Sequence, residues 1–295
     1  MSRQVLRVSL FPLVLTAGMI ATLVGVRAGV SPTLVVMATI FASAVPILIA
    51  QVVAPFEDAW QGRPGDFGID LLHMGSTALA TEGYRALTVG LFTAAALWLQ
   101  GTVGASLWPE NGPWVFQLGL ALLIGDFGAY WVHRGCHRSA LLWRVHAMHH
   151  SSERLYVFAS ARNHPMNAIL AYGSQLLPLT LLGAPLETIA LVSVFTGIHG
   201  MLQHANIDLV HGPLNWVFST ADLHRWHHST DMAESNTNFG SNLIVWDVVF
   251  GTRMLPVGRP AEVGLEGVAL PNNFLAHLAS PFVLPRWEQE PVKAK

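Results

Sequence analysis

The chain has 295 residues, of which 52% are hydrophobic and only 12% charged, against roughly 25% charged in soluble domains; its mean hydropathy is +0.44. These values argue against an ordinary cytosolic enzyme and against a disordered chain, which needs low hydrophobicity and high net charge. A net charge of −2 provides no basic surface for nucleic acid, and the single cysteine, Cys136, leaves no intrachain disulfide and no cysteine-based zinc or iron–sulfur site.

Taken in chain order, the apolar mass falls into stretches the length of membrane spans, roughly 17–25 residues. Val8 to Val26 is uncharged and flanked by Arg3, Arg7 and Arg27; it is too long for a signal-peptide core. Pro32 to Pro55 follows after a short turn, so the two read as a hairpin. Pro55 to Glu82 carries Glu57, Asp58, Arg63, Asp66, Asp70 and His73, which predicts an aqueous loop and a short interfacial helix from about Asp66. A third span is expected from Arg85 to Leu107, a turn at Trp108-Pro109-Glu110-Asn111-Gly112-Pro113, and a fourth span from Trp114 to Val132. From His133 to Arg162 the chain is polar and holds five arginines. Met166 to Gln203 is apolar again, broken at Gly183-Ala184-Pro185, and reads as a helical hairpin that enters the membrane only partly.

The expected organisation is a transmembrane region over 1–132, a histidine-rich catalytic region over 133–255 that includes the hairpin 166–203, and a Pro-rich tail over 256–295. The fold class is all-α and integral to the membrane: about four transmembrane helices plus a membrane-embedded hairpin, topped by a cytoplasmic helical cap with a His-rich dimetal site. Arginine is concentrated at the N-terminus, in 133–162 and in the C-terminal region, while the turns at 101–112 and 183–186 hold none. The positive-inside rule therefore puts both termini and the histidines on the cytoplasmic side.

Twelve of the 14 histidines lie between His133 and His228. His133 and His137 form an HxxxH, His146, His149 and His150 an HxxHH, and His224, His227 and His228 a second HxxHH. On a helix, residues three or four apart share a face, about 5–6 Å between β-carbons. HxxxH can thus aim two imidazoles at one metal. In HxxHH the first and third histidines point together while the middle one sits beside them, within reach of a second metal. Eight such nitrogens exceed the three or four ligands of a zinc site and suit two metals with open positions; imidazole alone does not name the metal. Single histidines are more often hydrogen-bonded core or surface residues, the reading taken for His73, His211 and His277. No HExxH is present, so a metalloprotease lacks its glutamate base. No GxGxxG opens a nucleotide-binding helix, so electrons must come from outside.

The order HxxxH, HxxHH, a lone histidine near an asparagine, then HxxHH resembles the fatty acid hydroxylase superfamily, also called the sterol desaturase family. Asp126-Phe127-Gly128-Ala129-Tyr130-Trp131-Val132-His133-Arg134, Gln203-His204-Ala205-Asn206, Leu223-His224-Arg225-Trp226-His227-His228-Ser229, Asn238-Phe239-Gly240 and Trp246-Asp247-Val248-Val249-Phe250-Gly251-Thr252 are similar to bacterial members. The resemblance implies two iron ions held by His133, His137, His146, His149, His150, His204, His224, His227 and His228, with His199 as a possible extra ligand. Asp126, Tyr130, His133 and His137 share one helix face, so Asp126 or Tyr130 is expected to accept a ligand histidine's other N–H. Asn206, Asn238 and Asp247 are candidates for similar support. The implied reaction is O2-dependent hydroxylation of a membrane lipid C–H bond, with electrons from an external protein or reductase. The histidine boxes equally fit a sterol or lipid desaturase, and a zinc-dependent membrane hydrolase is the alternative of another class. A bacterial inner membrane is the implied location.

Overall fold

A computed structural model describes residues 2–61, 66–267, 270 and 273–283. Among these residues eleven α-helices follow one another: α1 (Arg3–Arg27), α2 (Pro32–Val53), α3 (Asp66–Val103), α4 (Trp114–Arg138), α5 (Ala140–His150), α6 (Pro165–Leu181), α7 (Leu186–His204), α8 (Ala221–His227), α9 (Met232–Ser235), α10 (Val245–Val249) and α11 (Phe274–Val283). Among the described residues the only β pairings are two isolated bridges, Phe218–Leu243 and Ser229–Val263. Also among them, α1, α2, α3, α4 and α7 are long and apolar enough to cross a membrane. The chain is a multi-pass membrane protein.

Three of the apolar stretches begin on residues that suit a helix start. Ser2 caps α1 by accepting from Val5 N, and Pro32 and Pro165 open α2 and α6, where a missing N–H costs nothing. The interfacial helix and third span expected separately are one continuous helix, α3. Residues 66–103 hold no proline to break it, and at 1.5 Å per residue it is about 57 Å long, nearly twice a hydrocarbon core of about 30 Å. Its first turns therefore stand in the cap, where Asp66 pairs with Arg154 at 2.9 Å and Asp70 with Arg162 at 2.8 Å. Tyr156 donates its hydroxyl to the same Asp70.

Helices α1, α2 and α7 pack against one another, and α6 packs between α3 and α4. The core joins Leu10, Phe11 and Leu15 of α1 and Ile47 of α2 to Leu191, Val194 and Ile198 of α7. Glycines set the closest approaches, as bundles within lipid require: a β-carbon on Gly197 would run into Ile40, and one on Gly128 into the Ser174 carbonyl.

Cross-links at the two ends fix the helix directions. At one end Arg7 of α1 holds Asp208 at 2.9 Å, and Asp208 N donates to Ala54 O at the end of α2. At the other end Arg27 binds Glu187 at 2.8 Å, and Thr188 donates to Gln117 near the start of α4. The turn after α6 thus lies level with the far ends of α1 and α4, so the α6–α7 hairpin runs the whole depth of the bundle rather than part of it. The start of α1, the ends of α2, α4 and α7 and the start of α6 all converge on the first end, under the cap.

Outside the spans, α5 lies against α4 and α11, with Arg144 donating to Pro281 O at 3.1 Å. Of the tail over 256–295, residues 268–269, 271–272 and 284–295 lie outside the described residues.

Candidate metal centre

The convergence of helix ends under the cap brings nine histidines, eight of them buried and His133 half-buried, into two groups. His133, His137, His146, His150 and His227 form one; His149, His204, His224 and His228 form the other, and within each the ligand atoms lie within 4.8 Å of one another. Local helix geometry makes the pairs. His146 with His150, and His224 with His228, are i,i+4 partners on one face. The middle residue of each triplet crosses over: His149 joins the group of His224 and His228, and His227 joins that of His146 and His150. The groups touch where the rings of His150 and His228 stack, with centroids 4.5 Å apart.

Hydrogen bonds to atoms that can only accept fix several tautomers. His133 Nδ1 donates to Phe239 O at 2.8 Å, His227 Nδ1 to Thr237 O at 2.8 Å and His204 Nδ1 to Gly200 O at 2.8 Å. For His146 the chain is longer. The Ser160 carbonyl accepts from Asn163 Nδ2, Asn163 Oδ1 accepts from Asn167 Nδ2, and Asn167 Oδ1 takes the His146 Nδ1 proton at 3.1 Å. Each of these imidazoles then carries a lone pair on Nε2.

Those lone pairs face each other. His133 Nε2 and His146 Nε2 are 3.0 Å apart, and no proton is left to place between them. His146 Nε2 lies 3.2 Å from His150 Nε2, and in the second group the His149–His204, His204–His224 and His224–His228 Nε2 atoms are 3.3, 3.1 and 3.1 Å apart. Bonds of about 2.0–2.1 Å to one cation at angles of 90–109° give nitrogen separations of roughly 2.9–3.4 Å. Among the described residues His227 Nε2 is buried with no hydrogen-bond partner, as are Nδ1 of His149, His224 and His228. The donor set therefore fits two cations: all nitrogen, buried, neutral and pre-aimed.

Electrostatics agree for the histidines outside the spans. Burial, and after it the neighbouring imidazoles, hold His146, His149, His150, His224, His227 and His228 well below the usual histidine range. Neutral imidazole is the form that binds a metal.

Of the residues expected to brace these histidines, none bonds one directly, and Asp247 alone reaches one through the backbone. Asp126 bonds no histidine: it accepts from Gln175 Nε2 at 3.1 Å, from Asn242 N and Nδ2 at 2.9 Å each, and from Leu243 N. It pins the 241–243 loop, 116 positions away in the chain. Tyr130 meets Thr252 Oγ1 and accepts from Arg134. Asn206 clasps the Glu57 backbone, and Asn238, at φ 55°, clamps Leu223 O and the Met254 backbone. Asp247 acts on a histidine through one peptide unit: it accepts from Phe239 N at 2.8 Å and Gly240 N at 2.7 Å, and Phe239 O holds His133. Burial raises the Asp247 carboxyl above its usual range, against the bonds from Thr252, Phe239 and Gly240 that pull it down.

His199 stays outside both groups, buried among Phe11, Phe195 and Phe218. Five residues from His204 turn it about 140° away around the helix. His73 meets His277 at 3.0 Å, His211 bonds Asp222 at 3.0 Å, and His164 caps α6. Sequence reasoning missed Asn167 and the carbonyls of Gly200, Thr237 and Phe239. Only Gly200, one helical turn before His204, was findable from spacing.

A cavity of about 230 Å³ opens beneath the centre between α4, α6 and α7. His133, His146, His149, His204 and His224, from both groups, form its roof. Its other lining residues include Ala129, Val132, Ala171 and Gly200, and among the described residues no carboxylate, lysine or arginine lines it.

The comparisons with known proteins agree with this geometry. The family described as Fatty acid hydroxylase matches residues 118–252. The ornithine lipid hydroxylase OlsE of Rhizobium tropici is 36% identical over 278 residues, covering 92% of this chain and 83% of that protein. Human alkylglycerol monooxygenase is 32% identical over 49% of this chain and 32% of its own length. A putative sterol desaturase of Arabidopsis thaliana is 30% identical over 48% of this chain and 50% of its own. No solved structure matches. The chain belongs to the fatty acid hydroxylase family and, like its relatives, is an oxidoreductase.

Proposed function

We propose that this protein is an O2-dependent di-iron hydroxylase of a membrane lipid, with the nine histidines of the two groups as ligands. The observation that carries the reading is the pair of all-nitrogen groups roofing one cavity at the membrane end of the cap. Two bound irons would supply the reduction of O2 and the oxidation of a C–H bond. The chain's own part is placement. Phe239 O, Thr237 O, Gly200 O and Asn167 Oδ1 hold four imidazoles in one tautomer, which keeps their Nε2 lone pairs pointed inward. The small residues of α4, α6 and α7 admit an apolar segment, and the cap keeps bulk water from the histidines. Two electrons per turnover come from a separate donor protein or reductase. The arginine-rich end that carries the centre faces the cytoplasm of a bacterial inner membrane.

A hydrolase needs a base beside its metal, and among the described residues no acidic side chain lines this cavity. The test is metal content of detergent-purified protein, alongside lipid profiling of cells with and without it. Two irons per chain and a lipid that gains one oxygen atom only in air are expected. One zinc per chain, with activity surviving without O2, would overturn the reading in favour of the hydrolase. A lipid that loses two hydrogens and gains no oxygen would replace hydroxylation by desaturation.

A further inference from the structure

The catalytic cavity has a floor and an outer wall, and both are set by how α4 meets α6. The two helices cross at Gly125 and Gly128. A β-carbon on Gly125 would lie 2.9 Å from the Gln175 carbonyl oxygen, and one on Gly128 would overlap that of Ser174. At the same level Asp126, Gln175, Thr196 and Asn242 are tied into one buried hydrogen-bonded cluster. The two helix backbones are in direct contact at this level.

Above the crossing the helices part. The cavity is lined there by Ala129, Val132 and Cys136 of α4 and by Asn167 and Ala171 of α6. Ala171 lines the cavity and is an exposed residue, and Val132 opposite it is half-exposed. The wall at this point is one alanine thick.

The depth of that thin wall is marked by charge. Tyr172, the next residue, shares a groove with Tyr84 and Arg85 of α3. Arg85 pairs with Glu82, and both are open to the surroundings, at 45% and 53% exposure. An exposed ion pair does not sit in hydrocarbon without heavy cost, so this level belongs to the headgroups. Ala171 also lies about 9 Å below the first residue of α6, itself joined to the arginine-bearing loop of the cap.

We propose that lipid enters the catalytic cavity sideways through a mouth between Val132 and Ala171, at headgroup level of the leaflet on the histidine side. Ala171 is the residue that sets its width. The part of the lipid presented to the histidines is then the headgroup or the segment next to it, and not the methyl end of a chain, because the glycine crossing closes the path to the bilayer centre. The proposal rests on the lipid-modifying reading of the site, but its test uses neither metal nor turnover, so either can fail without the other.

Cys136 supplies the probe, since it is the only cysteine, is buried, and lines the cavity. Full-length protein in membranes is treated with N-ethylmaleimide and labelling is followed by intact mass. Ala171→Trp is expected to slow labelling several-fold and Ala171→Leu to slow it less, while Leu141→Trp, at an exposed site away from the cavity, leaves it unchanged. Should the Trp variant misfold, Ala171→Leu decides alone. Unchanged labelling in both Ala171 variants, or equally fast labelling of the wild type by a charged, membrane-impermeant maleimide, would overturn the mouth. Depth is read separately, with Ala171→Cys in a Cys136→Ser background carrying a bimane label. Nitroxide on lipid headgroups should quench it more than nitroxide at mid-chain; the reverse order would overturn the headgroup-level placement.

Discussion

Asp247→Asn tests whether one carboxylate organises the five-histidine group from a distance. Each oxygen of Asp247 takes a backbone donor, Phe239 N on Oδ1 and Gly240 N on Oδ2, and Thr252 Oγ1 adds a third bond at 2.6 Å. An amide keeps one acceptor and turns an NH2 toward the other backbone N–H. One hydrogen bond to a charged group is lost, about 1.5–3 kcal/mol, which corresponds to a fall of roughly 2–5 °C in melting temperature for a chain of this size. The peptide that moves carries the Phe239 carbonyl that fixes His133. Loss of a hydrogen-bonding support for a ligand typically costs 10–100-fold in metal affinity. Native mass spectrometry under increasing chelator should therefore show one metal leaving Asp247→Asn protein well before the other. The reasoning fails if the variant melts and holds metal like wild type, or if both metals leave together at the wild-type melting temperature.

Single-histidine variants should separate the two groups: His150→Ala is expected to lose the metal of the five-histidine group, and His149→Ala that of the four-histidine group, each read as metal per chain. Gly128→Ala forces a methyl against the Ser174 carbonyl and should cost about 1–3 kcal/mol, whereas Gly119→Ala, with nothing within 4 Å, should be neutral or slightly stabilising; thermal denaturation in detergent compares them, and equal melting would refute the close crossing. The buried histidines of α5 and the α8 region also set a pH dependence. Unfolded histidine binds a proton below about 6.5, while the folded protein holds His146, His149, His150, His224, His227 and His228 neutral to well below that. Stability of metal-free protein is therefore complete above about pH 6.5 and falls as pH drops below it, by up to about 1.4 kcal/mol per histidine per pH unit. A melting temperature that is flat or rises between pH 7.5 and 5.5 would contradict this.

The residues divide according to how far apart in the chain their partners lie. The spans were legible because roughly 20 apolar residues in lipid have no alternative to helix. The histidine pairs were legible because the i,i+4 relation is a property of one helix. The merging of the interfacial segment and third span into α3 was not, since its cap-side half is held by Arg154 and Arg162, far along the chain. The support for the histidines was misread for the same reason. Asp126 shares a helix face with His133 and His137, but that face meets the 241–243 loop, and the loop's two N–H groups and amide take the carboxylate first.

By itself, then, the sequence determined that this is an all-helical membrane protein with histidines paired for metal, because hydrophobic length and helical period are local properties. Which histidines share a group, that His199 is excluded, that backbone carbonyls and one asparagine rather than acids hold the rings, and where the cavity meets the membrane were decided only by tertiary structure. These depend on which helix ends converge and on which donors reach a given acceptor, and no spacing within one segment encodes that.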